Sequence, residues 1–166
     1  MNRGALAVEA MIARSGANLP DVNHFLKVYA LAETIGRLEG LEPDMQETLE
    51  VAAAVHDIAC PLCREKYGST DGKLQEIESP PLVRELLHEL GFGPALIRRV
   101  CALVARHHTY ADVDGPDCQI LLEADFLVNA GENRLPGSVI AHMERTVFRT
   151  PSGLRLLRQL YPCETL

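Results

Sequence analysis

A chain of 166 residues, of which 47% are hydrophobic and 23% charged, is long and apolar enough to bury the core of one domain. The formal net charge of −7 argues against binding to a nucleic-acid polymer, because such binders ordinarily cluster Lys and Arg on one face. Global acidity does not exclude a small phosphorylated ligand, which needs only a locally positive pocket or a metal ion.

The absence of membrane-targeting segments and the pattern of cysteines both predict a cytoplasmic location. No stretch approaches the roughly 20 uninterrupted apolar residues of a membrane span, and the first apolar run is too short for a signal peptide. We therefore expect a cytoplasmic protein without membrane contact. The odd number and irregular spacing of the cysteines favour free thiols over a disulfide framework. These cysteines are Cys60, Cys63, Cys101, Cys118 and Cys163.

The first part of the chain shows two amphipathic helices. Apolar residues recur at spacings of three and four from Val28 onward, which predicts a helix over residues 20–40. A second periodic run begins at Pro43 and includes His56, and Pro61 blocks its continuation. Each of these two helices has one face suited to burial.

The middle of the chain reads as a loop followed by two helices. Residues 63–76 are polar and contain glycines, which predicts a loop long enough to shape a site. Pro80 then begins a helix that ends at Gly91, and Pro94 begins another that runs into His107.

The next helix has the composition of a bundle centre. It begins near Pro116 and is apolar on almost every side between Ile120 and Val128, which is typical of a helix surrounded by others. Two shorter helices are predicted at 137–148 and 152–161. The sequence shows no alternation of apolar and polar residues long enough for a strand. The predicted fold class is all-α, a compact multi-helix bundle.

These elements are predicted to form one domain over residues 1–166, with its core at about 20–135 and its C-terminal helices at 137–161. The leucines of the last helix either pack on that core, which is the commoner use of such residues, or form a dimer contact. They are Leu154, Leu156, Leu157 and Leu160. The oligomeric state is left open, with a homodimer as one option.

Four polar side chains fall on helical faces that point inward. His24 lies on the apolar stripe of the first helix, and His56 follows Ala52 by four residues on the stripe of the second. Asp57 comes directly after His56. Asp125 lies within the most apolar helix, where an ionised carboxylate is costly without a strong partner. A cation is the obvious partner.

Two imidazoles and two carboxylates form a nitrogen and oxygen ligand set suited to Mn, Fe, Co, Ni, Zn or Mg ions. Because the four residues come from three helices, the site is expected in the bundle interior. Each residue alone has an ordinary structural explanation, as a hydrogen-bonded core histidine or a helix-terminal aspartate. The combination predicts one bound divalent metal ion.

In this order the residues resemble the HD superfamily of metal-dependent phosphohydrolases. The family pattern is an isolated early His, an adjacent His-Asp pair after a small apolar helix, and a distant Asp. The matching residues are His24, then His56 and Asp57 in AAAVHDI, and Asp125 in LLEADFLVN. The resemblance extends over roughly residues 20–135 and includes an HH pair, His107 and His108, at the end of an intervening helix.

The chain departs from the family pattern in two places. Many members continue the pair as HDIGK, whereas this chain reads HDIACPLC, so a phosphate contact by that lysine is not carried over. Members with two metals usually place another His near the start of the following helix, where this chain has Glu76 and Glu78. A dinuclear centre is therefore less expected. Lys73, in the predicted loop, joins these two glutamates as a candidate for substrate binding.

The resemblance implies hydrolysis of a phosphate ester, as a phosphomonoesterase or phosphodiesterase acting on a nucleotide-like or other small phosphorylated substrate. Asp57 is then both a metal ligand and the candidate to orient the attacking water. His107 and His108 are candidates for contacting the phosphate, protonating the leaving oxygen or supplying one ligand of a weaker second site. The alternative for this pair is a surface motif at a helix end.

Two other functions fit the same scaffold. Some relatives use a two-iron centre for oxidative cleavage, which needs about six protein ligands; the missing middle His counts against that use. A non-catalytic module that binds a metal or a nucleotide is the other alternative.

Cys60 and Cys63 have the CxxC spacing of redox motifs. Only two thiols are supplied and no βαβ pattern surrounds them, which favours coincidence over a redox role. His88 and His142 are expected on the surface.

Overall fold

The computed structural model describes residues 3–162, and Cys163 lies outside this part. The predicted all-α fold class is confirmed, since no strand occurs within the described residues. None of the helices in this part of the chain combines the length and the apolar character that crossing a membrane requires. The helices are α1 (Arg3–Arg14), α2 (Leu19–Leu38), α3 (Pro43–Val55), α4 (Cys60–Tyr67), α5 (Gly72–Glu89), α6 (Pro94–Val104), α7 (Pro116–Glu132), α8 (Gly137–Thr146) and α9 (Pro151–Leu160).

Proline and short polar side chains set where the helices begin. Six of the described helices have proline in the first turn, where the missing N–H has no intrahelical partner to lose. Asn18 accepts a hydrogen bond from the backbone N–H of Asp21 at 3.3 Å, and Thr150 accepts one from Gly153 at 3.0 Å. The prolines are Pro20, Pro43, Pro61, Pro94, Pro116 and Pro151.

The loop predicted over residues 63–76 is wrong, because this segment contains most of α4 and the beginning of α5. Helix α4 buries Cys63 on its inner face and ends at Gly68, whose φ of 64° is a left-handed conformation that glycine adopts without strain. Its polar residues face solvent, which is why composition alone indicates a loop.

The predicted helix start at Pro80 is also wrong, since α5 begins at Gly72 and continues through both prolines. Proline removes an N–H donor from a helix interior and normally ends or kinks the helix. Here α5 carries a buried stripe that includes Ser79, Val83 and Leu87, and it packs along α6. Tertiary packing therefore outweighs the local propensity.

Helix α7 occupies the centre of the bundle, as its composition predicts. It packs against α2, α3, α6 and α9, and its residues from Ile120 to Val128 are buried. The two predicted C-terminal helices are present as α8 and α9. Leu157 is buried, whereas Leu160 is 51% exposed. Leu154 and Leu156 pack against the core, so three of the four leucines of α9 contribute to core packing.

Candidate metal centre

The packing of the helices brings His24, His56, Asp57 and Asp125 together. His24 lies near the start of α2, His56 ends α3, Asp57 follows in the next turn and Asp125 lies in the middle of α7. The Nε2 atom of His24 is 3.2 Å from Nε2 of His56. The same atom is 3.3 Å from Oδ2 of Asp57 and 3.2 Å from Oδ1 of Asp125.

These separations match the ligand spacing around one ion. When each ligand atom lies about 2.1 Å from a metal, neighbouring ligand atoms are roughly 3.0 Å apart in an octahedron and roughly 3.4 Å apart in a tetrahedron. The remaining close pairs fit as well, because Nε2 of His56 is 3.5 Å from both Oδ1 of Asp57 and Oδ1 of Asp125. His24, His56 and Asp57 therefore form a group whose ligand atoms could hold one divalent ion, and Oδ1 of Asp125 lies beside both imidazoles of that group.

Two of the imidazoles around the centre are oriented by backbone carbonyls. His56 donates from Nδ1 to the carbonyl of Ala53 at 2.8 Å, and His107 donates from Nδ1 to the carbonyl of Val104 at 2.7 Å. Both carbonyls lie at a helix C-terminus, where the last four carbonyls have no intrahelical partner. A carbonyl only accepts, so Nδ1 carries the proton and the lone pair of a neutral ring is at Nε2.

Two further residues, which the sequence did not single out, hold the ligands in place. Glu132 accepts a hydrogen bond from Nδ1 of His24 at 2.8 Å, and Asn129 donates to Oδ1 of Asp125 at 2.8 Å. Asn129 and Glu132 follow Asp125 by four and seven residues, which places all three on one face of α7. That spacing is the signal that could have identified them.

Two carboxylates remain ionised in the interior of the site. Burial alone raises the pKa of Asp57 and Asp125, but the neighbouring imidazoles outweigh it and hold both values well below the usual range. Burial alone lowers the pKa of His24, but the hydrogen bond to Asp125 and the charge of Asp57 raise it to about 9. The site therefore attracts positive charge strongly.

A second group of possible ligands shares Asp57. The group consists of Asp57, His107 and His108. Nε2 of His107 lies 3.4 Å from Oδ1 of Asp57, and Nδ1 of His108 lies 3.9 Å from Oδ2 of Asp125. Within the described residues, Nε2 of His107 and Nε2 of His108 are buried without a hydrogen-bond partner, a costly arrangement that indicates a bound group.

His108 differs from the other imidazoles in its charge state. Burial and the nearby positive charge of His107 lower the pKa of His108 to about 4, so this ring is neutral at physiological pH. A neutral ring has a lone pair available for a metal ion or for a hydrogen-bond donor. Its side chain is 25% exposed and forms part of the solvent-facing side of the centre.

Lys73 and Glu76 lie beside this second group. The ammonium group of Lys73 donates to Oε2 of Glu76 and to the hydroxyl of Thr109, each at 2.8 Å. Oε1 of Glu76 accepts from the backbone N–H of His108 at 3.1 Å and from Thr109 at 2.7 Å. Glu76 thus fixes the turn that carries His108.

Glu78, the third candidate for substrate binding, points elsewhere. Its Oε1 accepts from the ammonium group of Lys66 at 2.7 Å and from the hydroxyl of Tyr67 at 2.5 Å. Both partners belong to the end of α4. The structure places Lys73 and Glu76 next to the histidine pair and ties Glu78 to a different helix.

The cysteines, His88 and His142 belong to neither group of possible metal ligands found among the described residues. Cys60 and Cys63 are buried and free, and burial raises the pKa of both thiols, which disfavours the reactive thiolate. The other two described cysteines are also free. His88 and His142 are exposed, as predicted.

Comparisons with known proteins agree with this geometry. A family model described as the HD domain matches residues 21–143, a range that contains all the residues of both groups. A solved structure, that of a "predicted HD superfamily hydrolase" from an uncultured Thermotogales bacterium, is 18% identical in sequence. The match covers 95% of this chain and 84% of that one with a TM-score of 0.68, which shows a shared fold. No curated protein matches the chain.

Proposed function

Because the chain belongs to the HD-domain family, and so to a superfamily of metal-dependent phosphohydrolases, we propose that it hydrolyses a phosphate ester of a nucleotide-like or other small molecule. The reaction is that of a phosphomonoesterase or a phosphodiesterase. The proposal rests on one observation: two imidazole nitrogens and two ionised carboxylates converge at the spacing of ligands around a single ion.

In this proposal one divalent ion is held by His24, His56, Asp57 and Asp125. When bound, such an ion stabilises negative charge on a phosphoryl group and lowers the pKa of a coordinated water. Asp57 belongs to both groups of possible ligands, and its side chain is 20% exposed. We therefore assign its carboxylate to orienting the attacking water. The ion identity remains among the Mn, Fe, Co, Ni, Zn and Mg set that this mixture of ligands suits.

The second group faces the substrate. Among the described residues, His107 and His108 present nitrogens without hydrogen-bond partners, and we assign both to contact with the phosphoryl group. Because His108 is neutral at physiological pH, we assign protonation of the leaving oxygen to His107. Lys73 is 68% exposed and lies beside this pair through Thr109. We assign its ammonium group, which also pairs with Glu76, to contact with a phosphate at the entrance, in place of the lysine that HDIGK members carry.

The test compares turnover of phosphate esters by metal-loaded wild type, His56→Ala and Asp57→Ala. p-Nitrophenyl phosphate, bis(p-nitrophenyl) phosphate and a panel of nucleotides separate monoesterase from diesterase activity. We expect each substitution to lower turnover by at least about 100-fold, since it removes a ligand and not only an outer partner. His88→Ala, an exposed histidine on α5, is the matched control and keeps wild-type turnover. Equal turnover in all variants would eliminate the proposal.

The second group also favours one rival function. Together the two groups supply six side chains, the number that a two-iron centre needs. We infer that an oxygen-activating two-iron centre is the second candidate. Two irons per chain, with substrate oxidation that stops under nitrogen, favour the oxygenase. Release of phosphate without oxygen and one ion per chain favour the hydrolase.

A further inference from the structure

His24 is held differently from the other two imidazoles whose Nδ1 partners are defined. His56 and His107 donate from Nδ1 to backbone carbonyls, which are neutral acceptors. His24 instead donates from Nδ1 to the carboxylate of Glu132 at 2.8 Å. The first ligand of the proposed metal site therefore has a charged partner supplied by another helix.

The stability of α7 does not explain why a glutamate stands at position 132. It is the last residue of α7, where the helix dipole disfavours negative charge. Its other partner is Lys27, whose ammonium group lies 3.0 Å from Oε1, and this pair is largely exposed. Exposed ion pairs contribute little to stability. The contact that distinguishes Glu132 is the one with His24.

We propose that Glu132 is a positioning residue that fixes His24 as a metal ligand, an inference that rests on the proposed metal site. A carboxylate only accepts hydrogen bonds, so it keeps the proton of His24 on Nδ1 and leaves the Nε2 lone pair for the ion. Its charge also makes the imidazole a stronger donor to the metal. Lys27 binds the other carboxylate oxygen and keeps Oε2 directed at His24.

Isothermal titration with Zn²⁺ alone provides the first test. We expect Glu132→Leu, which cannot accept the hydrogen bond, to weaken Zn²⁺ binding about 10- to 100-fold, the range typical of lost outer partners. Glu132→Gln retains an oxygen acceptor without the charge, so its loss is smaller. Glu144→Gln is the matched control, because Glu144 in α8 also pairs with a basic side chain, that of Arg158 in α9 at 2.7 Å. We expect this variant to bind Zn²⁺ as wild type does.

A spectroscopic readout separates positioning from a merely structural role. In Zn²⁺-loaded protein, the Nδ1–H proton of His24 gives a far-downfield NMR resonance when it is held in a strong hydrogen bond. We expect this resonance in wild type and in Glu132→Gln, and we expect it to broaden or shift in Glu132→Leu. If the leucine variant does not fold, the Zn²⁺ affinity of the glutamine variant decides: an affinity below wild type supports the role of Glu132, and an affinity equal to wild type overturns it.

Zn²⁺ affinity equal to wild type in both variants, together with an unchanged resonance in Glu132→Leu, would overturn the role of Glu132. That outcome differs from failure of the proposed function, in which wild type binds Zn²⁺ but hydrolyses no phosphate ester. A wild-type protein that does not bind Zn²⁺ would overturn the metal site and the role of Glu132 together.

Discussion

The Nε2 atom of His24 lies 3.2 Å from the Oδ1 atom of Asp125, and this contact joins α2 to the central helix α7. The two helices pack against each other. In the proposed metal site, affinity for the ion therefore depends on the packing of α2 on α7, and the residues that hold these two side chains come from the same face of α7. Asn129 and Glu132 supply those contacts.

Substitution of Asp125 by Asn tests the charge of the buried ligand. Asp125 is 2% exposed, and asparagine preserves its size while removing the negative charge that attracts a cation. We expect Zn²⁺ affinity in isothermal titration to fall by more than about 100-fold, beyond the usual effect of outer partners. Asp114→Asn, at an exposed aspartate that pairs with Arg99, should bind Zn²⁺ normally. Similar affinities for both variants contradict the ligand assignment.

Gly72→Ala tests the placement of His108. A Cβ at Gly72 would lie 2.7 Å from the His108 ring, closer than real contacts allow, so the ring must move. We expect a fall in kcat of about tenfold or more, because small displacements of catalytic groups are costly. Gly137→Ala is the matched control, since Gly137 also begins a helix but faces open space. Identical kinetics for the two variants would show that His108 is not needed.

Glu76→Gln should show a pH-dependent loss of stability. Burial alone raises the pKa of Glu76, but hydrogen bonds from Lys73, Thr109 and the His108 backbone lower it below the ordinary 4.5. The contribution of this carboxylate is therefore complete above about pH 4.5 and is lost as the pH falls through the folded-state pKa.

Urea unfolding of wild type and Glu76→Gln at several pH values measures this effect. At pH 7 we expect the free energy of unfolding to be lower in the variant by about 1–3 kcal/mol, the usual worth of hydrogen bonds to a charged group. The difference should shrink in acid. A difference that is constant from pH 7 to pH 3 contradicts the assignment.

Glu123→Ala should weaken the fold while sparing the metal centre. Glu123 is fully buried in α7 and accepts hydrogen bonds from Gln119 and from the backbone N–H groups of Arg149 and Thr150. Its removal leaves buried donors without an acceptor, which should lower the free energy of unfolding by about 2–4 kcal/mol. Below the melting temperature, Zn²⁺ affinity should stay at the wild-type level. Loss of affinity in the folded variant would show that this carboxylate supports the metal site.

The sequence predicts those parts of the structure that depend on local spacing. His24 and His56 share apolar stripes with their helices, and a carboxylate in the apolar helix α7 is conspicuous. Helix starts follow from prolines in first turns. In contrast, the prolines inside α5 mislead, because the burial of Ser79 and Val83 against neighbouring helices is a tertiary effect.

Other features of the site depend on which helix faces which. The spacing of Glu132 from Asp125 places it on the face of α7 that carries the site, but its pairing with His24 also depends on the register of α7 against α2, which local spacing does not specify. The same holds for Glu76, which the sequence offers as a candidate for substrate binding and which accepts a hydrogen bond from the backbone of the turn that carries His108. The lysine at position 73 comes near that turn because α5 begins earlier than its prolines indicate.

Anomalous diffraction from a crystal grown with Zn²⁺ and measured at the zinc absorption edge tests the central claim most directly. The account predicts a strong anomalous peak bonded to Nε2 of His24, Nε2 of His56 and one oxygen each of Asp57 and Asp125, at roughly 2.0–2.2 Å. A protein that shows zinc only elsewhere, or no peak among these four side chains, would contradict the claim that they form a metal site.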